Sequence, residues 1–370
     1  MTDVQSLAED PPVGAGPPSL SFRPGVLTTD GYRTSWRVED SSGLLRLDRN
    51  ELTHPISETV SRAVARHLEE VGSHLYPEVG PLAKDIGAYC DVEPGCVVAT
   101  NGSDQAIDVA LRAFLAEGDQ LVIAAPEFPM FALFAGLIGV AVARVPYLDD
   151  LSFPYDDFRE ALAATSPDLI AFVNPNNPTG TPVIVDFIDE IAGSYPDVPV
   201  VVDEAYYEFT GRTVVPLTQD HDNLIVLRTF SKAFGLAGLR LGYMVAARPV
   251  VEQITKLLGP YDVNALAIAA ARAQLAAIDE VHSRVDETMA VKPMVVDFLT
   301  SVGDTVWPGA ANFVLVRPVN GSAVVDHLRD NGILVRRMHA DRLQGTYRMS
   351  LGTSDEMERF VSVYERMGGA

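Results

Sequence analysis

From residue 96 to residue 246 the chain repeats one pattern: a short β-branched run, a polar break, a helical stretch, then another run. The runs are 96–100, 121–124, 140–145, 169–173, 198–202, 224–227 and 242–246. Apolar residues at helical spacing fill several of the gaps, as in 105–115 and 185–192. Neighbouring parallel strands need a crossover connection, usually a helix. The alternation therefore predicts an α/β fold, with a mostly parallel seven-stranded sheet sandwiched by helices. A helix is also expected over 56–68. After about residue 265 the character changes. An Ala-rich helical stretch runs to Ala277, and a charged one follows over 278–302. Then come a strand (312–316), a helix (323–331), a strand pair (333–337 and 347–351) and a last helix. Thr353 and Glu356 have the capping-box spacing that would start that helix. This part reads as a smaller α+β C-terminal domain. The expected divisions are an N-terminal arm over 1–46, a large domain over 47–265 and a small one over 266–370. The opening of the arm, rich in Pro, Gly and acids, is expected to be flexible.

Charge and cysteine content narrow the function. Against 50 acidic residues stand only 28 basic ones, a net charge of −22. Such a balance repels nucleic acid and anionic membrane, so neither is an expected partner. Cys90 and Cys96 fit neither a zinc pattern nor a disulfide framework, and read as thiols in a reducing compartment, with no metal site expected. No apolar run approaches the ~20 residues of a membrane helix, and the N-terminus lacks the charged and apolar regions of a signal peptide. A cytoplasmic protein is expected.

Four unusual segments fall at the carboxyl ends of the strands, where open α/β sheets place their ligands. Asn101, Gly102, Ser103 and Asp104 lie between a strand and a helix. Backbone N–H groups at a helix start suit a phosphate, although Ser and Asp are also ordinary N-caps. Next is Asn174-Pro175-Asn176-Asn177-Pro178-Thr179-Gly180, where two Asn-Pro bonds and a glycine restrict the backbone. Asn177 is the amide expected to face a ligand; a plain turn is the simpler alternative. The third segment, Asp203-Glu204-Ala205-Tyr206, ends an apolar strand. An acid there loses solvation unless a cation pairs with it. A protonated ring nitrogen would serve, with Tyr206 in reach of the same ring, unless both acids turn out to solvent. The fourth runs from Thr229 through Ser231 and Lys232 to Arg240. A lysine among hydroxyls, glycines and apolar residues is a candidate imine-forming amine, because desolvation lowers its proton affinity. A solvated surface charge is the alternative for any single lysine. Arg240, Ser231 and Thr229 would make a second phosphate grip.

Three of these stretches, NPNNPTG (174–180), VDEAYYEF (202–209) and SKAFGLAGLRLGY (231–243), resemble the fold type I, class I/II aminotransferases. They are most similar to the histidinol-phosphate aminotransferase branch, and the match runs in order from about Leu47 to Leu351. The resemblance implies an aspartate-aminotransferase-like fold, pyridoxal 5′-phosphate as cofactor and a homodimer with shared sites. It implies Lys232 as the amine that holds the cofactor and shuttles the substrate proton. It implies Asp203 on the pyridinium nitrogen, and Asn177 and Tyr206 on the ring oxygen. Gly102, Ser103, Asp104, Thr229, Ser231 and Arg240 would surround the phosphate. Phe128 stands where the family usually stacks a Tyr, and Tyr76 matches a residue that reaches the neighbouring subunit's cofactor. Arg348 matches the arginine that binds the substrate carboxylate or phosphate. Arg336, Tyr32 and Asn50 lie near substrate-binding positions.

Some positions depart from the family. Asp48-Arg49-Asn50-Glu51-Leu52 replaces an Asn-Glu-Asn-Pro-like run, Phe128 lacks the usual hydroxyl, and Glu127 stands where Thr is common. A carboxylate near the pocket mouth would favour a cationic substrate over a phosphorylated one, unless it points into solvent. The expected reaction is amino transfer between a histidinol-phosphate-like, aromatic or basic donor and a 2-oxo acid. A decarboxylase of the threonine-phosphate type is the alternative on the same cofactor. A non-catalytic, cofactor-binding regulatory domain is more remote, since such proteins carry a DNA-binding helix-turn-helix ahead of the fold. A nicotinamide Rossmann enzyme is disfavoured, because no Gly-x-Gly-x-x-Gly follows the first strand.

Overall fold

The computed structural model describes residues 20–32 and 43–367. The flexible opening expected over the first residues lies largely outside them. Strand β1 (Leu45–Arg46) belongs with the C-terminal strands below. The next seven, β2 (Val97–Thr100), β3 (Gln120–Ala125), β4 (Ala141–Pro146), β5 (Leu169–Val173), β6 (Val200–Asp203), β7 (Leu224–Thr229) and β8 (Gly242–Ala246), form one sheet. Its order is β2-β8-β7-β6-β5-β3-β4. Only β8 runs against its neighbours; the other six are mutually parallel, so their carboxyl ends share one edge.

Strand periodicity explains why these runs are almost wholly apolar. Successive side chains point to opposite faces. Ile170 and Phe172 enter one core cluster, with Val200, Val202, Leu224 and Val226. Leu169, Ala171 and Val173 enter another, with Val201, Ile225 and Leu227. Helices cover both faces, so every residue of β5 is buried, as parallel sheets require. Each fully buried side chain of this kind contributes about 1.5–3 kcal/mol from area removed from water.

The differences from the sequence reading are local. The run at 198 starts as a strand only at Val200, because Pro199 has no N–H to give the ladder. The charged stretch 278–302 splits into helices Ile278–Ala290 and Lys292–Ser301, with a proline in the first turn of the second. Helices Pro129–Ile138 and Tyr155–Thr165 fill the gaps the sequence left unassigned.

At the C-terminal end, β9 (Thr305–Trp307), β10 (Phe313–Arg317), β11 (Ile333–Leu334), β12 (Arg336–Arg337) and β13 (Tyr347–Ser350) follow. Four of them make an antiparallel sheet, β12-β13-β10-β9. The expected strand 333–337 thus divides: β11 pairs in parallel with β1, and β12 pairs with β13. Leu45 and Leu47 pack into the C-terminal core beside Val314, Ile333 and Phe360. Helix Ser354–Glu365 opens with the Thr353/Glu356 capping box. Among the described residues no helix is long and apolar enough to cross a membrane.

Candidate active site

Because β2, β5, β6 and β7 end at one edge, their four following segments meet there. They surround a cavity of about 520 Å³ lined by Ser103, Asp104, Phe128, Asn177, Asp203, Tyr206 and Lys232, with Tyr32, Arg336 and Arg348 from outside the sheet. A larger cavity, about 710 Å³, lies between helices Glu58–Glu70 and Ala265–Ala276. Its lining includes Arg66, His67, Glu70, Glu78 and Arg272, and Tyr76 lies on it, 74% exposed and stacked on Tyr261 at 4.0 Å.

The loop after β5 shows how three asparagines divide their work. The Val183 N–H donates to Asn174 Oδ1 (2.8 Å), and Asn176 Nδ2 donates to the Pro126 carbonyl and to Thr179 Oγ1 (3.0 and 2.9 Å). These two stitch the loop, and Gly180 takes a positive φ of 73° within it. The peptides before Pro126, Pro175 and Pro178 are cis. Asn177 is left facing the cavity. Its Nδ2 donates to the Tyr206 hydroxyl (3.3 Å), and its Oδ1 accepts from Arg348 Nη1.

Asp203 closes β6 and is 2% exposed. The Ala205 N–H donates to it at 3.0 Å, but burial still pushes its carboxyl up to about 7. Glu204 does not turn to solvent. Fully buried, it accepts from Arg228 Nε and Nη2 (3.0 and 2.9 Å), Thr213 Oγ1 (2.8 Å) and the Val214 N–H (2.7 Å). Arg228, directly after the apolar run 224–227, was the signal for that ion pair. Burial, then the charge of Arg348, lowers Lys232 to about 8. Its Nζ donates to the Arg49 carbonyl (3.0 Å). Burial pushes Tyr206 up to about 12 and lowers Arg348.

The start of helix Gly102–Phe114 lies against Arg240. Gly102 has φ +79°, and a Cβ on it would stand 2.6 Å from Arg240 Nη2. A Cβ on Gly242 would stand 2.7 Å from the Gly102 carbonyl carbon and the Ser103 nitrogen. Only glycine at both positions lets helix start, strand and guanidinium converge. Asp104 accepts from Arg240 Nη2 (3.0 Å). Behind them the Ser231 N–H donates to Thr229 Oγ1 (3.1 Å), and both side chains are buried.

From the C-terminal sheet, Arg336 and Arg348 are direct cross-strand partners. Arg348 Nη2 donates to the Asp48 carbonyl (3.0 Å). Asn50 does not line the cavity: it is fully buried behind Tyr206, to whose hydroxyl its Nδ2 donates (2.9 Å). Glu127 neither stands free in the mouth nor points into solvent, since Arg144 Nε donates to it at 3.0 Å. Asp48, Arg49, Met338 and His339 also line the cavity. Sequence reasoning assigned them no role. Arg49 acts through its carbonyl, which leaves no residue-type signal.

This set can hold an anion at a helix start, a cation against Asp203, a carbonyl on Lys232 and a second anion at Arg348. The "Aminotransferase class I and II" family profile matches residues 42–363. The histidinol-phosphate aminotransferase of Caldanaerobacter subterraneus subsp. tengcongensis is 32% identical over 336 residues, covering 89% of this chain and 94% of that protein. That of Thermococcus gammatolerans is 33% identical over 336 residues, covering 90% and 95%. The structure of histidinol-phosphate aminotransferase from Sinorhizobium meliloti in complex with pyridoxal-5′-phosphate has the same fold, with a TM-score of 0.85 at 23% identity over 94% of this chain and 98% of that one. The chain therefore belongs to the class I and II aminotransferase family, on the branch that holds the histidinol-phosphate aminotransferases.

Proposed function

We propose that this protein moves the amino group of a phosphorylated amino alcohol or amino acid, histidinol phosphate first among them, to a 2-oxo acid. It does so as a pyridoxal-phosphate-dependent aminotransferase. The observation that carries the reading is the pair Lys232 and Asp203 in one cavity, each displaced by burial toward neutrality. A setting as a cytoplasmic homodimer goes with it; the position of Tyr76, exposed and away from this cavity, suits a role across a subunit interface.

The residues present fit the cofactor. A buried carboxylate raised to about 7 calls for a cationic partner, and the glycine-lined approach of the helix start to Arg240 suits a phosphate. Gly102, Ser103, Asp104, Thr229, Ser231 and Arg240 would hold that phosphate, and Phe128 would cover the ring. When bound, pyridoxal phosphate supplies a sink for the electrons left on the substrate α-carbon when its proton departs. Asp203 holds the proton on the ring nitrogen that makes this sink effective. Asn177 and Tyr206 would face the ring oxygen. Lys232 Nζ takes the α-proton, and burial, which lowers it to about 8, favours the neutral amine that this needs. Arg348 orients the substrate anion with its planar fork, which aligns the α C–H bond for cleavage.

The Glu127–Arg144 pair bears on the substrate. Paired with Arg144, that carboxylate no longer opposes the guanidinium of Arg336 in the same cavity lining, which favours a phosphorylated donor; Arg337 is itself paired with Asp326. Arg144→Ala is expected to free Glu127 and raise KM for a phosphorylated donor about tenfold, from roughly 1–2 kcal/mol of repulsion. An unchanged KM would take Glu127 out of the substrate's field.

The direct test mixes the purified holoenzyme, without acceptor, with histidinol phosphate and a panel of aromatic and basic amino acids. The visible band is expected to bleach with one donor, leaving its keto or aldehyde product and pyridoxamine phosphate. Release of carbon dioxide instead would replace transamination by decarboxylation. A bleach with a non-phosphorylated donor alone would remove the phosphate from the reading.

A further inference from the structure

Three consecutive residues, 48–50, hold three side chains of the cavity at once. The Asp48 carbonyl accepts from Arg348, the Arg49 carbonyl accepts from Lys232 (3.0 Å each), and Asn50 Nδ2 donates to the Tyr206 hydroxyl (2.9 Å). Asn50 achieves this at φ +54°, a left-handed conformation that Asn tolerates better than most residues. Its backbone N–H is anchored on Ser350 Oγ (2.8 Å), which also lies 3.4 Å from Asn50 Oδ1.

A phenol oxygen offers two acceptor positions and one proton. Asn50 Nδ2 takes one position at 2.9 Å and Asn177 Nδ2 the other at 3.3 Å. The rest of the network sets the Asn177 amide. Asn177 Oδ1 is engaged by Arg348, so turning that amide over would aim its NH₂ at a guanidinium; Asn50 Oδ1 lies 3.4 Å from the Ser350 hydroxyl, which also donates to the Leu47 carbonyl at 3.1 Å. With both acceptor positions filled, the Tyr206 proton is left for the remaining direction, toward the cavity that Tyr206 lines.

We propose that Asn50 is a positioning residue that fixes the Tyr206 hydroxyl as a hydrogen-bond donor to the ring oxygen of a cofactor in this cavity, an inference that rests on the pyridoxal-phosphate reading of the site. Burial raises the proton affinity of Tyr206, while Arg348 and the Asn50 bond lower it, so Asn50 also makes the hydroxyl a stronger donor. A donor of this kind stabilises the deprotonated ring oxygen and lowers the pH at which the bound cofactor titrates. Arg348, Asp203, Tyr32 and Lys232 are the other charged or titratable groups around Tyr206, and changing Asn50 leaves all of them in place.

The test is the pH midpoint of the visible band of the holoenzyme. Asn50→Gly keeps the left-handed backbone, and with it the carbonyls of 48 and 49, but removes the amide. Asn50→Asp keeps the shape but replaces the amide donor with an acceptor, so the Tyr206 O–H turns to donate to that carboxylate. Asn50→Asp is expected to raise the midpoint by about one pH unit, a tenfold change in proton affinity, and Asn50→Gly by less in the same direction. In a Tyr206→Phe background Asn50→Gly should add nothing, because Asn50 acts only through that hydroxyl. Wild-type midpoints in both single variants, or a Gly shift that persists without the hydroxyl, would overturn the assignment to Asn50 alone. Absence of a visible band in the wild-type protein with added pyridoxal phosphate would remove the cofactor reading and this inference with it.

Discussion

Replacing Lys232 with Ala is expected to abolish turnover, with a loss of at least ~10⁴-fold, because both the covalent anchor and the proton-transfer group leave together. The fold should survive. Lys232 makes its hydrogen bond to a carbonyl at 3.0 Å, and burial lowers it to about 8 from the ordinary lysine value of 10.5. A lysine whose folded value lies below its unfolded one costs stability that is fully present below about 8 and fades as pH rises from about 8 to 10.5. The cofactor-free Ala variant should therefore melt no lower than the cofactor-free wild type at pH 7. Borohydride reduction followed by peptide mass spectrometry should place the cofactor on Lys232 in the wild type and nowhere in the variant. Turnover at the wild-type rate in the variant would end the proposed mechanism.

Asp203→Asn carries the second large effect. The variant offers a neutral amide where a ring nitrogen needs a carboxylate to hold its proton, and the electron sink weakens. Breaking a buried charge pair costs about 3–5 kcal/mol, which corresponds to roughly 10²- to 10⁴-fold in rate. A second readout separates this from simple damage. In the cofactor-free protein Asp203 is raised from 3.8 to about 7 by burial. An acid raised in the folded state contributes stability that is present below its unfolded value and lost as pH rises through the folded value. The cofactor-free Asn variant does not titrate there, so its stability relative to wild type should increase between about pH 4 and pH 7. Near-normal turnover, or a flat stability difference across that range, would take Asp203 out of the proposed role.

Much of this architecture was legible in the chain because it rests on local rules. The β-branched runs announced the strands, since a sheet covered on both faces must be apolar at every position, and β5 is. The capping box at Thr353 was readable for the same reason: its partners lie three residues apart. The loops at the strand ends were legible too, because six strands running one way bring their ends to one edge.

Asn50 could not be read in this way. It was expected to touch substrate, yet it stands behind Tyr206, 156 positions away in sequence. Glu127 was open between two readings until the fold brought Arg144 against it from β4. Glu204 resembled a solvent-facing acid until Arg228 arrived from the next strand.

The sequence by itself determined the sheet, its helical cover and the reactive residue types at its carboxyl edge, because periodicity and backbone restriction act between near neighbours. The tertiary structure alone decided which polar groups are paired, which way each amide turns and how far Lys232 and Asp203 are displaced. Those properties depend on burial and on partners distant in the chain, and a fully desolvated charge or hydrogen bond is set by whatever packs against it.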